Sequence, residues 1–459
     1  MKKMTLPYIA EVTGGKLICP EGYELDKSRE IAGVVNDNRQ VEKDFLFVPM
    51  VGARVDGHDF IKDAFSKGAY ASLAEKHLDE VSGPYILVED TKIALKQIAR
   101  AYRSQLDIPI VGVVGSVGKT STKEMITSVL STRFNVLKTE GNFNNEIGLP
   151  LTICRIRDCH QVAVVEMGIS DFGEMDRLGD IAKPDIVVMT NIGQCHLEFL
   201  KDRDGILRAK TEVFKHMPLD GTIILNGDDD KLITADTLGR KTIYYGLNNQ
   251  QVSASQVMAD GMTATKAKIS AFGQDFDVTI PLPGNHNVLN ALAATAVAHE
   301  LGLTVEEVIR GLSEATTISG RNNVIQLHGI TIIDDCYNAS PLSMKAAIEI
   351  LGKAPGKTIA VLGDMGELGP DEKQLHFGLG QALEDNHIGS LFTVGTLSEE
   401  INKSLQQKNS SCMSHHYKDI DAMLTDLLPI IRQGDTILVK ASHFMGFTKV
   451  VDALTERFK

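Results

Sequence analysis

No block of basic residues occurs anywhere along this 459-residue chain, and acidic side chains outnumber basic ones, 60 against 47, for a formal net charge of -13. That balance argues against nucleic acid as an obligatory partner, because a phosphate backbone calls for clustered lysine and arginine. Nor does any apolar run approach the roughly 18 residues of a membrane-spanning helix, so no membrane insertion is expected. The opening MKKMTLPYIAEVTGG carries two lysines, but Pro7 and Glu11 interrupt what would have to be the apolar core of a signal peptide. Six cysteines (Cys19, Cys154, Cys159, Cys195, Cys336, Cys412) form no C-x-x-C pair and no zinc-ligand spacing, which reads as scattered reduced thiols. Internal repeats and low-complexity tracts are absent as well. These absences point to a cytoplasmic protein, and the length exceeds what one ordinary core organises, so two or three domains are expected.

What is present changes texture twice. Up to about Leu106, short apolar stretches (DFLFVPM, YILVE) alternate with turn-rich pieces and end in the helical pattern TKIALKQIARAYRSQL, which predicts a small α/β domain over 1–106. From Ile108 the chain alternates apolar strands with helical periods: IPIVGVVG, STKEMITSVLSTRF, QVAVVEMG, DIVVMTNIG and GTIILNGDD. This predicts a parallel sheet with both faces covered, in a domain spanning 107–319. It includes a polar, strand-like segment around Thr263 to Ile280 and an Ala-rich helix after Asn285. In the last section, 320–459, TIIDDCYN, KTIAVLGDM, SLFTVG and DTILVKAS read as strands, each followed by a helical segment, which predicts a second open α/β sheet.

The most informative local stretch is GVVGSVGKTSTKE, Gly112 to Glu124. A strand that ends in glycines and opens a helix presents unpaired N–H groups at the positive end of the helix dipole, which suits an anion. Lys119 adds a point charge for outer phosphates and Thr120 a hydroxyl for magnesium. The glycines are Gly112, Gly115 and Gly118, with Val113 where the usual phosphate-loop spacing has glycine. Strand, loop and helix context nonetheless make Gly115, Ser116, Gly118, Lys119, Thr120 and Ser121 the candidate ATP-binding residues.

Kinases, hydrolysing motors and ligases all use such loops, so other residues at strand ends must decide. Ligands bind at the carboxyl edge of open α/β sheets, which places Glu166 of VAVVEMG beside the phosphates and His196 of NIGQCHLEFL at a similar depth. A carboxylate there can hold magnesium and a neutral imidazole a second metal; the alternative is a turn residue and an ordinary histidine. Asn287 and Asn290, three apart in GNHNVLNALAA, can read one base or ribose, or simply start a helix. Arg321 at the seam can face transferring phosphate or form an interface salt bridge. In LGDMGELG the spacing is not that of a dinucleotide loop, and Asp364 and Glu367 would repel a pyrophosphate.

Taken in order, GSVGKTSTKE, GNFNNEIGLPLT, EMG, NIGQCHLE with LRAKTE behind it, PGNHNVLNALAA, SGR, DDCYNASPLSM and LGDMGELG resemble the Mur ligases of bacterial cell-wall synthesis, over nearly the whole chain. The resemblance implies a three-domain architecture: a small N-terminal α/β domain, a central phosphate-loop ATPase-like sheet and a C-terminal Rossmann-like sheet. GNFNNEIGLP, DDCYNASPLS and LGDMGELG favour the member that joins D-alanyl-D-alanine to UDP-N-acetylmuramoyl-tripeptide, an ATP-dependent acid–amino-acid ligase; the D-N-P-R motif of the enzyme adding the third residue is absent.

By resemblance, Lys119 and Thr120 hold ATP phosphates and magnesium, Glu166 ligates magnesium, and His196 helps hold a second ion. Lys210, which by itself reads as a surface lysine, matches the lysine that many members carry as a carbamate. Asn290 would contact adenine with Asn287 nearby, Arg321 the γ-phosphate, and Asp335, or its neighbour Asp334, the ribose. Asn38 and Arg39 would meet the uridine end; Asn142, Asn144 and Asn145 the substrate; Asn338, Ser340 and Lys440 the dipeptide. Two motifs depart from the family: Asp37, Asn38 and Arg39 stand where D-S-R is common, and Lys440, Ala441, Ser442 and His443 replace K-G-S-R. The expected reaction passes through an acyl phosphate on the tripeptide carboxylate, in a chain expected to be monomeric. A folylpolyglutamate-type ligase and a phosphate-loop ATPase without ligase activity are the alternatives.

Overall fold

The computed structural model describes residues 1–52, 54–248 and 250–459, arranged as three sheets of five, nine and six strands. The central sheet owes its depth to runs such as Ile110–Val114, Val162–Glu166 and Ile186–Met189, in which every residue is buried. Strands covered on both faces have no polar face to offer, hence the continuous apolar sequence. Ile110–Val114 lies between Val162–Glu166 and Ile186–Met189, parallel to both. Three segments distant in sequence therefore end along one edge, the edge at which such sheets bind ligands.

The sheet is parallel from Val136–Lys138 across to Val252–Asp260 and then finishes in an antiparallel extension. The segment expected as one polar strand is in fact two, Ala264–Ala271 and Gln274–Ile280, joined through Phe272 and Gly273 at φ 51° and 80°. Two successive left-handed residues make the tight turn that matches strand twist. A phenylalanine at the first of these positions gives no turn signal in sequence.

Asn285–Glu300 is a helix whose alanines are buried nearly all round, and it packs on the phosphate-loop helix Lys119–Leu130. Small side chains let the two helices share one core with the sheet. The helix Thr91–Arg103, capped by Asp90, joins the first sheet to the central one. Its Tyr102 hydroxyl donates to Ile156 O at 2.6 Å, and Arg103 reaches the carbonyls of Ala182 and Lys183. In the third sheet, Ile330–Asp334, Thr358–Gly363, Ser390–Val394, Met413–Tyr417 and Thr436–Lys440 are parallel, and Asn323–Leu327 pairs antiparallel at one edge. The strands Asn323–Leu327 and Met413–Tyr417 have no counterpart in the sequence reading, since both are edge strands with half-exposed, polar-rich faces.

Candidate active site

The phosphate loop runs from Gly115 to the helix beginning at Lys119, with Gly118 at φ 84° just before it. The first N–H groups of that helix have no intrahelical acceptor. Asn191, just past the strand Ile186–Met189, shapes the loop: its backbone carbonyl accepts from Ser116 N and its Oδ1 from Val117 N, both at 3.0 Å. The Thr190 hydroxyl and Asn191 Nδ2 donate to Val117 O at 2.6 and 2.9 Å. Lys119 folds over the loop, its Nζ donating to Gly115 O at 2.9 Å, while Thr120 is buried and Ser121 half-buried beside it.

Glu166, at the end of the neighbouring strand, is 2% exposed. Its Oε1 accepts from Asn144 Nδ2 at 2.8 Å and its backbone N–H donates to Thr139 Oγ1 at 3.0 Å. The other carboxylate oxygen, Oε2, is buried without a partner. An orphaned carboxylate oxygen is costly, and a cation is the natural group to satisfy it.

His196 is half-buried in a left-handed conformation at the start of Leu197–Leu200. Its Nδ1 lies 2.5 Å from Glu367 Oε2 of the third section, an ion-pair distance without hydrogen-bond alignment. Burial pulls the imidazole pKa below its ordinary value; Glu367 opposes this, and the charges of Lys210 and Lys119 add to it.

Lys210 is no surface residue: it is 1% exposed within the helix Arg203–Thr211 and, among the described residues, makes no hydrogen bond or ion pair. Burial, with Lys119 adding to it, drops its pKa to about 8. Among the described residues no three His, Cys, Asp or Glu side chains converge as a ready metal cage.

Asn287 and Asn290 come together, with Asn290 Nδ2 donating to Asn287 Oδ1 at 3.1 Å. Both amides are engaged further, Asn290 Oδ1 with the Thr122 hydroxyl at 2.7 Å and Asn287 Nδ2 with Pro283 O at 2.8 Å. Arg321 lies with its guanidinium 4.2 Å from the centroid of the Tyr337 ring. Asp334 turns inward to accept from Gly320 N at 2.8 Å; Asp335 accepts from Asn322 N at 3.1 Å and from Lys440 Nζ at 2.6 Å. Lys440, expected to face a dipeptide, is 2% exposed and also donates to Asn338 O at 2.9 Å, so it supports the 335–340 turn from beneath. Asn338 is exposed, and Ser340 caps the helix Pro341–Gly352.

Away from this cluster, Asn38 donates to Asp63 at 2.6 Å and Arg39 is exposed against Asp37. Both line a cavity of about 650 Å³ that also includes Phe60 and Phe143, the latter from the central section. Asn142 is exposed, whereas Asn145 caps Gly148–Cys154 through the N–H groups of Ile147 and Gly148. Three residues that position the site were missed from sequence, Asn191, Lys123 and Thr139, and Glu367 reads there only as a charge that would repel a pyrophosphate. Asn191 follows its strand immediately, a position that could have suggested it; the others act through partners remote in sequence.

Comparison with known proteins places three matches along the chain. Residues 30–103 match the model described as Mur ligase family, catalytic domain; residues 113–298 the Mur ligase middle domain; and residues 320–443 the Mur ligase, glutamate ligase domain. A UDP-N-acetylmuramoyl-tripeptide--D-alanyl-D-alanine ligase of Bacillus subtilis (strain 168) is 39% identical, with 99% of each chain covered. Among solved structures, MurF from Acinetobacter baumannii superposes with a TM-score of 0.90 at 30% identity, covering 99% of each chain. MurF ligase from Thermotoga maritima in complex with ADP gives 0.82 at 32% identity, covering 93% of this chain and 97% of that one.

Proposed function

The chain belongs to the Mur ligase family, and we propose that it joins D-alanyl-D-alanine to the terminal carboxylate of UDP-N-acetylmuramoyl-tripeptide at the expense of ATP, as a cytoplasmic step of peptidoglycan precursor synthesis. The observation that carries this reading is the Glu166 carboxylate, buried with one oxygen unpartnered at the strand end beside the phosphate loop. A loop alone would serve any ATPase. The adjacent buried carboxylate and the buried, unpaired lysine add metal-binding groups beside the phosphates, and the likeness over 99% of the chain to a D-alanyl-D-alanine-adding ligase supports a carboxylate as the phosphoryl acceptor.

The backbone N–H groups at the start of Lys119–Leu130 hold the ATP phosphates, and Lys119 swings from the loop carbonyls onto the outer phosphates. Thr120, Glu166, His196 and Lys210 are the residues that would hold magnesium, two ions in this reading. Bound there, magnesium neutralises charge on the transferring phosphoryl group. A lysine serves as a ligand only after its amine adds to carbon dioxide, losing a proton to give a carbamate. The lowered pKa of Lys210 supports this by favouring the neutral, nucleophilic amine near physiological pH.

The tripeptide carboxylate attacks the γ-phosphorus, ADP departs, and an acyl phosphate forms on the substrate. The free amine of the dipeptide then adds to the acyl carbon; the tetrahedral intermediate expels inorganic phosphate and the nitrogen loses a proton, leaving an amide. Residues 1–106 hold the uridine end in the cavity beside Asn38 and Arg39, residues 107–319 hold ATP, and residues 320–459 deliver the dipeptide. Arg321 leaves Tyr337 for the γ-phosphate as the third section settles over the site, excluding water from the acyl phosphate.

Phosphate release from ATP and magnesium with UDP-N-acetylmuramoyl-tripeptide, with and without D-alanyl-D-alanine, tests this directly. Release that depends on dipeptide and is matched by the mass of the ligated product is expected. Release indifferent to both substrates would overturn the reading and leave a hydrolase.

A further inference from the structure

Lys123 has no place in the chemistry above, yet it is one of the largest fully buried side chains, 1% exposed. It stands one helical turn after Lys119, on the phosphate-loop helix. Its Nζ donates to Thr139 O at 2.7 Å and pairs with Glu124 Oε1 at 2.8 Å; Glu124 in turn pairs with Lys138. Burying an ammonium carries a desolvation cost that pairing must offset, and a buried apolar residue would fill the volume without it. What the lysine gains is a fixed position for one peptide group.

That peptide group matters because Thr139 is a junction. Its side chain, fully buried, accepts the backbone N–H of Glu166 at 3.0 Å. The chain beyond it is the loop Glu140 to Ile147, whose Asn144 donates to Glu166 Oε1 at 2.8 Å and accepts from Gly168 N at 2.8 Å. The far end of the same loop is held by Glu146, which accepts from Lys96 Nζ and Arg177 Nε, both at 2.5 Å. From the phosphate-loop helix, then, polar contacts run through Lys123 and Thr139 to the backbone of Glu166, and the chain that leaves Thr139 carries Asn144 to its carboxylate.

We propose that Lys123 is a positioning residue that fixes Glu166 for the metal and the 139–147 loop for the tripeptide, coupling both to the helix that carries the ATP lysine. This rests on the reading of Glu166 as a metal ligand. Groups that orient a metal ligand typically change metal affinity by about tenfold to a hundredfold when removed.

The test uses Mn²⁺ as the probe, titrated by electron paramagnetic resonance into the full-length chain with ADP, together with hydrogen exchange over residues 139–147. Lys123→Met should weaken Mn²⁺ binding by about tenfold or more and speed exchange in the loop, while ADP binding without metal stays close to wild type. Lys123→Arg, which keeps a donor, should recover most of the affinity. Thr139→Val, which removes the acceptor of the Glu166 N–H, should also weaken Mn²⁺ binding, as a relay from Lys123 through Thr139 requires; if Lys123→Met does not fold, Lys123→Gln should show the same loss. In the same titration Glu166→Gln should bind Mn²⁺ poorly. Wild-type Mn²⁺ affinity in Lys123→Met or Thr139→Val, with Glu166→Gln impaired, would overturn the positioning role alone. Wild-type affinity in Glu166→Gln would instead overturn the ligand reading on which it rests.

Discussion

After the strand Ile110–Val114 the turn N–H groups of Ser116 and Val117 are held by the neutral Asn191 and the helix that follows has its leading N–H groups open, whereas after Ser390–Val394 the turn N–H groups are filled by a carboxylate of the chain itself. Those of Thr396, Leu397 and Ser398, just before the helix Glu399–Gln407, donate at 2.9, 3.1 and 2.7 Å to the carboxylate of Asp364. Both arrangements need glycine for close approach. A Cβ on Gly115 would lie 1.9 Å from Thr190 Oγ1, and one on Gly395 2.3 Å from Asp364 Oδ1. The same strand, turn and helix thus makes a ligand site in one sheet and a structural joint in the other. What differs is whether the chain supplies its own anion.

The sharpest break of this contrast is at the open end. Lys119→Ala should lower kcat for ligation by roughly 10² to 10³-fold, the size expected on removing a preorganised charge from a transferring phosphoryl group. Its thermal unfolding should stay near wild type, because the lysine is half-buried and bonds only to loop carbonyls. Retained turnover in a steady-state assay would remove Lys119 from the mechanism. At the closed end the effect should be on stability instead. Asp364→Ala leaves three N–H groups facing a void, at about 3 kcal/mol in chemical denaturation. Added sulfate should stabilise that variant more than wild type, since the emptied nest can take an external anion; equal response in both would mean that the carboxylate is not acting as the anion of the site.

Lys210 extends the contrast to cations. In the third sheet the buried Lys440 has Asp335 at 2.6 Å, but Lys210 has no partner among the described residues. Its pKa of about 8, against an ordinary 10.5, means that between those values the unfolded chain binds more protons than the folded one. Stability of metal-free protein in carbon-dioxide-depleted buffer should therefore rise as pH climbs from about 8 to 10.5. Well below pH 8 the burial penalty is present in full, on the order of 3 kcal/mol. Lys210→Met should remove it, and the pH-dependent part of the variant's advantage should fade across the same window in urea titrations. A pH-independent difference would mean that Lys210 is not held as a strained cation.

How legible each part was in sequence follows from how local its physics is. Glycine spacing, Lys119 and Thr120 lie within one turn, and the apolar strands on either side announce a covered parallel sheet. Asp364 was legible only as a reason against a pyrophosphate; that it occupies the anion nest depends on residues more than 30 positions away. Lys210 read as a surface residue because LRAKTEVF has the polar pattern of an exposed helix, and only the packing of the second section buries it. Lys440 was expected to face the dipeptide, but its strand is buried throughout, which turns the lysine inward to Asp335. Lys123 and Thr139 were missed because their value lies in a hydrogen bond between two segments, not in either residue alone.

The smallest effect is expected where both partners are buried by packing that survives the change. Thr122 donates its hydroxyl to Asn290 Oδ1 at 2.7 Å, joining the phosphate-loop helix to the helix Asn285–Glu300. Thr122→Val keeps the shape and removes the donor, leaving an amide oxygen that is 7% exposed as a residue without its bond, at about 1 kcal/mol. The helices themselves should stay docked, because Ala291, Ala294 and Val297 remain buried in the same core. The loss should therefore appear in the nucleotide more than in the fold. With Asn290 held by Asn287 alone, KM for ATP should rise a few-fold, roughly the equivalent of that 1 kcal/mol, while kcat holds, since Lys119 and Glu166 are not bonded to either residue. A fall in kcat with KM unchanged would mean that the Thr122–Asn290 contact sets the phosphate loop itself, and that the open end of the central sheet is held from the adenine side as well as by Asn191.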